Sequence, residues 1–262
     1  MYNRSTPSSL YSMYNILLKE YGMQGWWPLL AHQGVNPTKT GSITGYHPGD
    51  YSFPKNEQQR FEICIGAILT QNTSWVQAEK ALNALHQRQA LTVEGMATLS
   101  LQRLKTAVKP AGYFNQKAKK IQEFVAFYTH LGGRTPSRDD LLSVWGIGPE
   151  TADSILLYAY HVPSFVVDAY TRRILSHLGL IEETASYDDI KAMLEQALPQ
   201  DVRIYQEYHA LLVEHAKRLY AKKPYPQDIL LSRFSPEFID SFKKKVGLDN
   251  ENSKERSNKK EG

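Results

Sequence analysis

Apolar residues recur along most of the chain at the three-to-four-residue interval of a helix, not the two-residue interval of a strand. Phe61, Cys64, Ile65 and Ile68 stand at i, i+3, i+4 and i+7, which predicts one apolar face on a helix beginning near Gln58. Similar spacing predicts helices over 11–21, 75–88, 101–108, 115–131, 139–145, 151–160, 169–178, 187–198 and 204–221. No segment alternates convincingly and no internal repeat is visible, so the expected fold class is all-α. From 34 to 54, Gly, Pro, Ser and Thr accumulate and predict a loop with little regular structure.

Composition adds bounds. With 262 residues, 42% of them hydrophobic and 22% charged, the chain can bury a sizeable core in one large unit or two modest lobes. Apolar runs such as 63–69 are core-sized, too short for a membrane helix. The first seven residues are polar and lack the apolar block of a secretory signal. The expectation is a soluble, cytoplasmic protein with no membrane partner. A single cysteine, Cys64, excludes an internal disulfide and any all-thiolate metal or iron–sulfur site within one chain.

The net charge of +4 is concentrated: 243–262 carries seven basic and four acidic residues and is expected to be a disordered tail. Between Gly95 and Gln122 stand Arg103, Lys105, Lys109, Lys117, Lys119 and Lys120 with no acid among them. Such a block suits a phosphate backbone. A solvated helix face accounts for it equally well.

The most informative stretch runs from Leu141 to Leu156. Gly146-Ile147-Gly148 joins two helices, and Pro149 falls in the first turn of the second. Glycines permit a tight reversal and leave backbone N–H groups uncovered. Proline is tolerated there because that N–H has no helical partner. Uncovered N–H groups at a helix start bind anions without any side chain. Twenty residues beyond Gly148, Asp168 stands directly before another helix, as an N-cap would.

Together the hairpin and this aspartate resemble the helix-hairpin-helix DNA glycosylase superfamily, to which endonuclease III belongs. Leu69-Thr70-Gln71-Asn72-Thr73 and Gly112-Tyr113-Phe114-Asn115-Gln116-Lys117-Ala118 are similar to further segments of that family, and the likeness runs from about Trp26 to Tyr225. It implies two helical lobes with a DNA-facing cleft. A segment 1–55, with a long loop 29–59, would pack on a C-terminal lobe 162–242, and a central barrel lobe 56–161 would carry the hairpin 146–148. The implied partner is double-stranded DNA with a flipped damaged base, bound by a monomer associated with the nucleoid in a prokaryote. Asp168 would be catalytic. Gly146, Ile147, Gly148 and Thr151 would meet phosphates, Gln71 would fill the gap in the base stack, and Asn115 and Lys117 would contact DNA.

Departures from endonuclease III sharpen the expectation. Glycosylases that also nick the backbone use a lysine amine to form a Schiff base; the matching position here is Glu150. The resemblance thus implies a monofunctional enzyme that leaves an abasic site. Tyr220, Pro226 and Ile229 lie about where cluster ligands would fall, so no iron–sulfur cluster is expected, and a monovalent cation at the hairpin is the one cofactor left open. Trp26-Trp27-Pro28, with Trp75, Phe114–Lys117 and Glu150, closely resembles the 3-methyladenine DNA glycosylase III branch. That implies an alkylated base held between Trp27 and Trp75, with Pro28 and Glu150 lining the pocket. The loop 29–59 is longer than in that branch. Lys217, Lys222 and Lys223 are expected to be solvated. Two other expectations stand beside this one: a monofunctional glycosylase for mismatched thymine or uracil or for oxidised purines, and a DNA-structure-binding module that breaks no bond.

Overall fold

The computed structural model describes residues 7–39 and 42–246. Its elements in chain order are α1 (Pro7–Tyr21), α2 (Glu57–Leu69), α3 (Trp75–His86), α4 (Val93–Thr98), α5 (Leu101–Val108), α6 (Phe114–Leu131), α7 (Arg138–Leu142) and α8 (Pro149–Ser154). One wide π-turn (Ile155–Ala159) continues α8, followed by α9 (Ala169–His177), α10 (Tyr187–Ala197), α11 (Val202–Leu219) and α12 (Pro236–Val246). Among the described residues there is no strand, and a single antiparallel bridge pairs Val35 with Thr44. No described helix is long and apolar enough to cross a membrane.

Most helices start where a short polar side chain can take an otherwise unpaired backbone N–H. Asn56 caps α2, Thr92 α4, Ser100 α5, Ser137 α7, Asp168 α9, Ser186 α10 and Asp201 α11. At α7 the cap is reciprocal, because Asp140 returns a bond to the Ser137 N–H.

The helices form two packed groups. α2 lies against α3, α6 and the π-turn, while α11 lies against α1, α9 and the π-turn. The π-turn thus touches both central helices. The expectation of one apolar face on α2 needs correction: every residue from Phe61 to Leu69 is buried, Glu62 included. A helix apolar all round belongs inside a fold, not at its surface.

Other boundaries differ. The helix expected over 151–160 begins at Pro149 and widens into the π-turn, and the one expected over 139–145 stops at Leu142. α4 and α12 are too short or too mixed in polarity for the spacing to reveal them. The tail expected from 243 is helical through Val246, and 247–262 lie outside the described residues. The loop after the tryptophan pair is tied down. Leu29 N–H donates to Gly45 O at 3.0 Å, His47 N–H to Gly25 O at 3.1 Å and Asn36 N–H to Ile43 O at 3.0 Å. Asn36, Tyr46 and His47 are buried within it.

Candidate active site

Val166 and Val167 run buried and extended into the start of α9 and deliver Asp168 as its N-cap. Asp168 Oδ1 accepts the Thr171 N–H at 2.7 Å. Oδ2 faces His209 Nε2 at 3.6 Å, beyond hydrogen-bond reach, and the Asp168 side chain is 13% exposed. Burial works against the charge here, but His209 and the Thr171 bond outweigh it and hold the carboxyl below its ordinary range. The positive end of α9 acts in the same direction.

His209 comes from α11 and is almost fully buried. Its Nδ1 lies 2.7 Å from the Tyr158 hydroxyl, which also reaches Gln206 O at 3.1 Å. Tyr158 sits on the π-turn, a feature that recurs at functional sites. Gln206 Nε2 donates to Leu157 O at 2.9 Å, securing the carbonyl beside it. Glu150, second residue of α8, is exposed. Surrounding protein first, then the Asp168 charge, push its carboxyl up to about 7, against the pull of His209. Lys217 is half-buried; burial lowers its ammonium, while Glu214 and Asp168 oppose that shift.

The tryptophans pack against each other. Trp26 meets Trp75 at 4.9 Å between centroids, and Trp27 meets Trp75 at 5.5 Å with planes 88° apart. Trp27 also packs against Tyr158 at 5.5 Å. A base held between two rings needs them parallel and about 7 Å apart, two van der Waals contacts. The facing pair expected of Trp27 and Trp75 is therefore absent in this conformation, where their edge-on contact closes the slot. The indole N–H groups of Trp26, Trp27 and Trp75 are buried without an acceptor. Beside them, Gln24, Trp26, Asn36, Tyr46, His209 and Lys217 line a recess of about 20 Å³, far below the volume of a ligand pocket. Asn36 and Tyr46 bring the long loop into its wall. Pro28 does not line it; it is buried beneath the loop, against Gly45.

The hairpin and the segment after α2 meet at one edge. Gln71 Nε2 donates to Gly146 O at 3.1 Å and to Thr151 Oγ1 at 2.9 Å, and Lys120 Nζ donates to Gln71 Oε1. Gly146 has φ +85°, and the Lys120 chain fills the space where its Cβ would stand. Several expected DNA contacts are occupied in this arrangement. Lys117 is 2% exposed, its ammonium donating to Leu69 O and Ala111 O at 2.7 Å each, and burial lowers it to about 8. It is a buried clamp, not a phosphate contact. Thr151 is buried with its hydroxyl taken by Gln71, and Ile147 is buried with its N–H on Val144 O at 3.0 Å. Gly146 O and Val144 O each accept one hydrogen bond and keep a second lone pair.

Asn115 and the open side of Gly148 remain accessible, as do Lys119, stacked over Trp145 at 4.1 Å, and Tyr113, 69% exposed. Lys222 and Lys223 are exposed as expected, unlike Lys217. Where the resemblance placed cluster ligands, Tyr220 is buried and Ile229 points outward; Asp228 holds the stretch by accepting from Tyr220 Oη at 2.7 Å and the Leu231 N–H at 2.9 Å, with His215 Nε2 at 2.9 Å. Among the described residues no group of His, Cys, Asp or Glu is arranged to hold a metal ion.

The sequence pattern singles out neither His209 nor Tyr158, and marks Lys120 only as a member of the basic block. The one available signal was the run Gln206-Glu207-Tyr208-His209, which places three polar residues in the middle of an amphipathic helix. All three are buried.

An all-helical fold with a hairpin on one group of helices and a capping aspartate on the other matches the helix-hairpin-helix DNA glycosylases. A structure of an endonuclease III–DNA complex aligns with TM-score 0.67 at 18% identity, covering 92% of this chain and all of that one. The Helicobacter pylori 3-methyladenine DNA glycosylase bound to 1,N6-ethenoadenine aligns with TM-score 0.60 at 24% identity, covering 81% and 97%. The chain belongs to the HhH-GPD superfamily of base excision DNA repair proteins, whose family model matches residues 65–200. A putative DNA repair glycosylase of Methanocaldococcus jannaschii is 41% identical over 225 residues, 82% of this chain and 90% of the relative. Endonuclease III of Thermotoga maritima is 29% identical over 171 residues, 64% of this chain and 78% of its own length.

Proposed function

We propose that this chain is a monofunctional DNA glycosylase that binds duplex DNA, takes an extruded damaged base into the tryptophan-walled recess and hydrolyses its N-glycosidic bond. The observation that carries the reading is Asp168, 13% exposed at the start of α9, with Oδ2 3.6 Å from Nε2 of His209, a residue that lines the recess. As the base leaves with the bonding electrons, positive charge develops on the sugar, and a fixed carboxylate stabilises it. Water then forms the new bond to C1′, and its proton passes to a protein group. Glu150 stands where a lyase would carry its amine.

Alkylated purines are the proposed substrates. A methylated purine such as 3-methyladenine is cationic, and indole faces attract cations by about 0.5–2 kcal/mol. Stacking adds roughly 1–3 kcal/mol per base. Entry requires an indole, Trp26 or Trp75, to turn aside, and a weakly stacked lesion lowers the cost of extrusion.

A panel of duplexes with one lesion each tests this. Release of 3-methyladenine as free base, with the abasic strand intact and Asp168→Asn inactive, is expected. Release of uracil, thymine or 8-oxoguanine without any alkylpurine would reassign the substrate, and binding with no release at all would leave a DNA-binding module. A second reading rests on Lys217, half-buried with a lowered ammonium beside Asp168: such an amine can attack the sugar. Borohydride trapping of a covalent complex that Lys217→Ala abolishes would establish it.

A further inference from the structure

Buried polar atoms nearly always find a partner, so one that does not calls for an explanation. His209 Nε2 is buried, unpartnered and directed at Asp168 Oδ2 from 3.6 Å. Its ring is fixed from behind, because Nδ1 lies 2.7 Å from the Tyr158 hydroxyl. That hydroxyl has a single proton and two acceptors in reach, His209 Nδ1 and Gln206 O. Protonated at Nε2, the ring is the cation that holds Asp168 down; with the Tyr158 proton on Gln206 O, Nδ1 carries its own hydrogen, and loss of the Nε2 proton leaves a bare lone pair facing the carboxylate. Two acceptors then confront each other across a gap that one proton closes.

We propose that His209, held by Tyr158, positions Asp168 and receives the proton that hydrolysis releases, a role that rests on the glycosylase reading above. The balance is complete without further groups. The water oxygen forms its bond to C1′, and the glycosidic electron pair departs with the base. The water proton passes through Asp168 Oδ2 to His209 Nε2. Nδ1–H stays on Tyr158 Oη, so the ring ends as an imidazolium paired with the aspartate. Asp168 is thereby returned to its anionic form.

The charged neighbours set the balance. Asp168 at the start of α9 and Glu150 on α8 favour the protonated ring. Lys217, two turns further along α11, and the buried setting disfavour it. Tyr158, on the π-turn, is neutral. The ring must be unprotonated to accept, so activity falls as it gains a proton in acid.

The test has two arms. In histidine-labelled protein, the signal lost in His209→Gln identifies the ring among eight histidines. The nitrogen signals of that ring should report hydrogen on Nδ1 and move in Asp168→Asn. In single-turnover release of 3-methyladenine from methylated duplex, His209→Gln and Tyr158→Phe should each slow release 10- to 100-fold without weakening DNA binding. His209→Gln should also erase the acid limb of the rate profile. Ring signals indifferent to Asp168→Asn overturn the proposal, as does a profile whose shape survives His209→Gln. Absence of base release from the wild-type protein overturns the glycosylase reading instead, and the ring signals separate the two failures.

Discussion

Glu207 and Glu62 grip the same short segment from opposite sides. Glu207, on α11, accepts the Gln24 N–H at 2.5 Å and the Tyr51 hydroxyl at 2.8 Å; Glu62, on α2, accepts the Leu30 N–H at 2.7 Å. Trp26 and Trp27 lie between the two grips, and His47 adds a third hold through Trp27 O at 2.9 Å. The tryptophan segment is thus strapped to both helix groups by buried carboxylates.

The strap has a pH signature. Burial pushes the Glu62 carboxyl up to about 7, against a smaller lowering by the Leu30 bond, and Glu207 is raised for the same reason. A raised folded value means that stability is fully present below the unfolded carboxyl value near 4.5 and declines as pH rises through about 7. For Glu62 the loss is of order 3 kcal/mol. Melting temperatures from pH 5 to 8 should fall less steeply in Glu62→Gln than in the wild-type protein; parallel curves would refute it.

Gly66 is the seat of the Trp27 ring. A Cβ there would stand 3.1 Å from Nε1 and 3.2 Å from Cζ2 of the indole. Gly66→Ala gains up to about 1 kcal/mol of helix propensity and forces the ring outward by a few tenths of an ångström. A melting temperature that barely moves, with altered tryptophan fluorescence and slower base release, is the expected combination.

Legibility in the sequence followed the kind of information each feature needs. The hairpin and the Asp168 cap are local, set by glycine, proline and capping chemistry within a few residues, and both stand where the pattern placed them. The Tyr158–His209 contact joins residues 51 apart through a π-turn that no periodicity announces. Lys117 shows the limit from the other side. Charge pattern could not say that its ammonium turns inward to two carbonyls. The orientation of Trp75 toward Trp27 is likewise a tertiary fact.

Lys117 and Lys119 should therefore behave in opposite ways. Lys117→Met leaves two buried carbonyls unpaired and should cost about 2–4 kcal/mol of stability, read by urea unfolding. The salt dependence of DNA binding should not change. Lys119→Ala leaves stability nearly intact and should reduce the slope of log affinity against log salt by close to one unit.

Tyr113 joins exposure with strain. It is 69% exposed at the start of α6, and its backbone is left-handed, with φ +42°. That conformation costs an L-residue about 1–2 kcal/mol, which glycine avoids. If the ring serves DNA binding, Tyr113→Gly should stabilise the free protein by about 1 kcal/mol in thermal or urea unfolding and weaken its affinity for lesion-containing duplex at least several-fold. A gain in stability with unchanged affinity would mark the ring as dispensable. A loss of stability would show that it packs against something its exposure does not reveal.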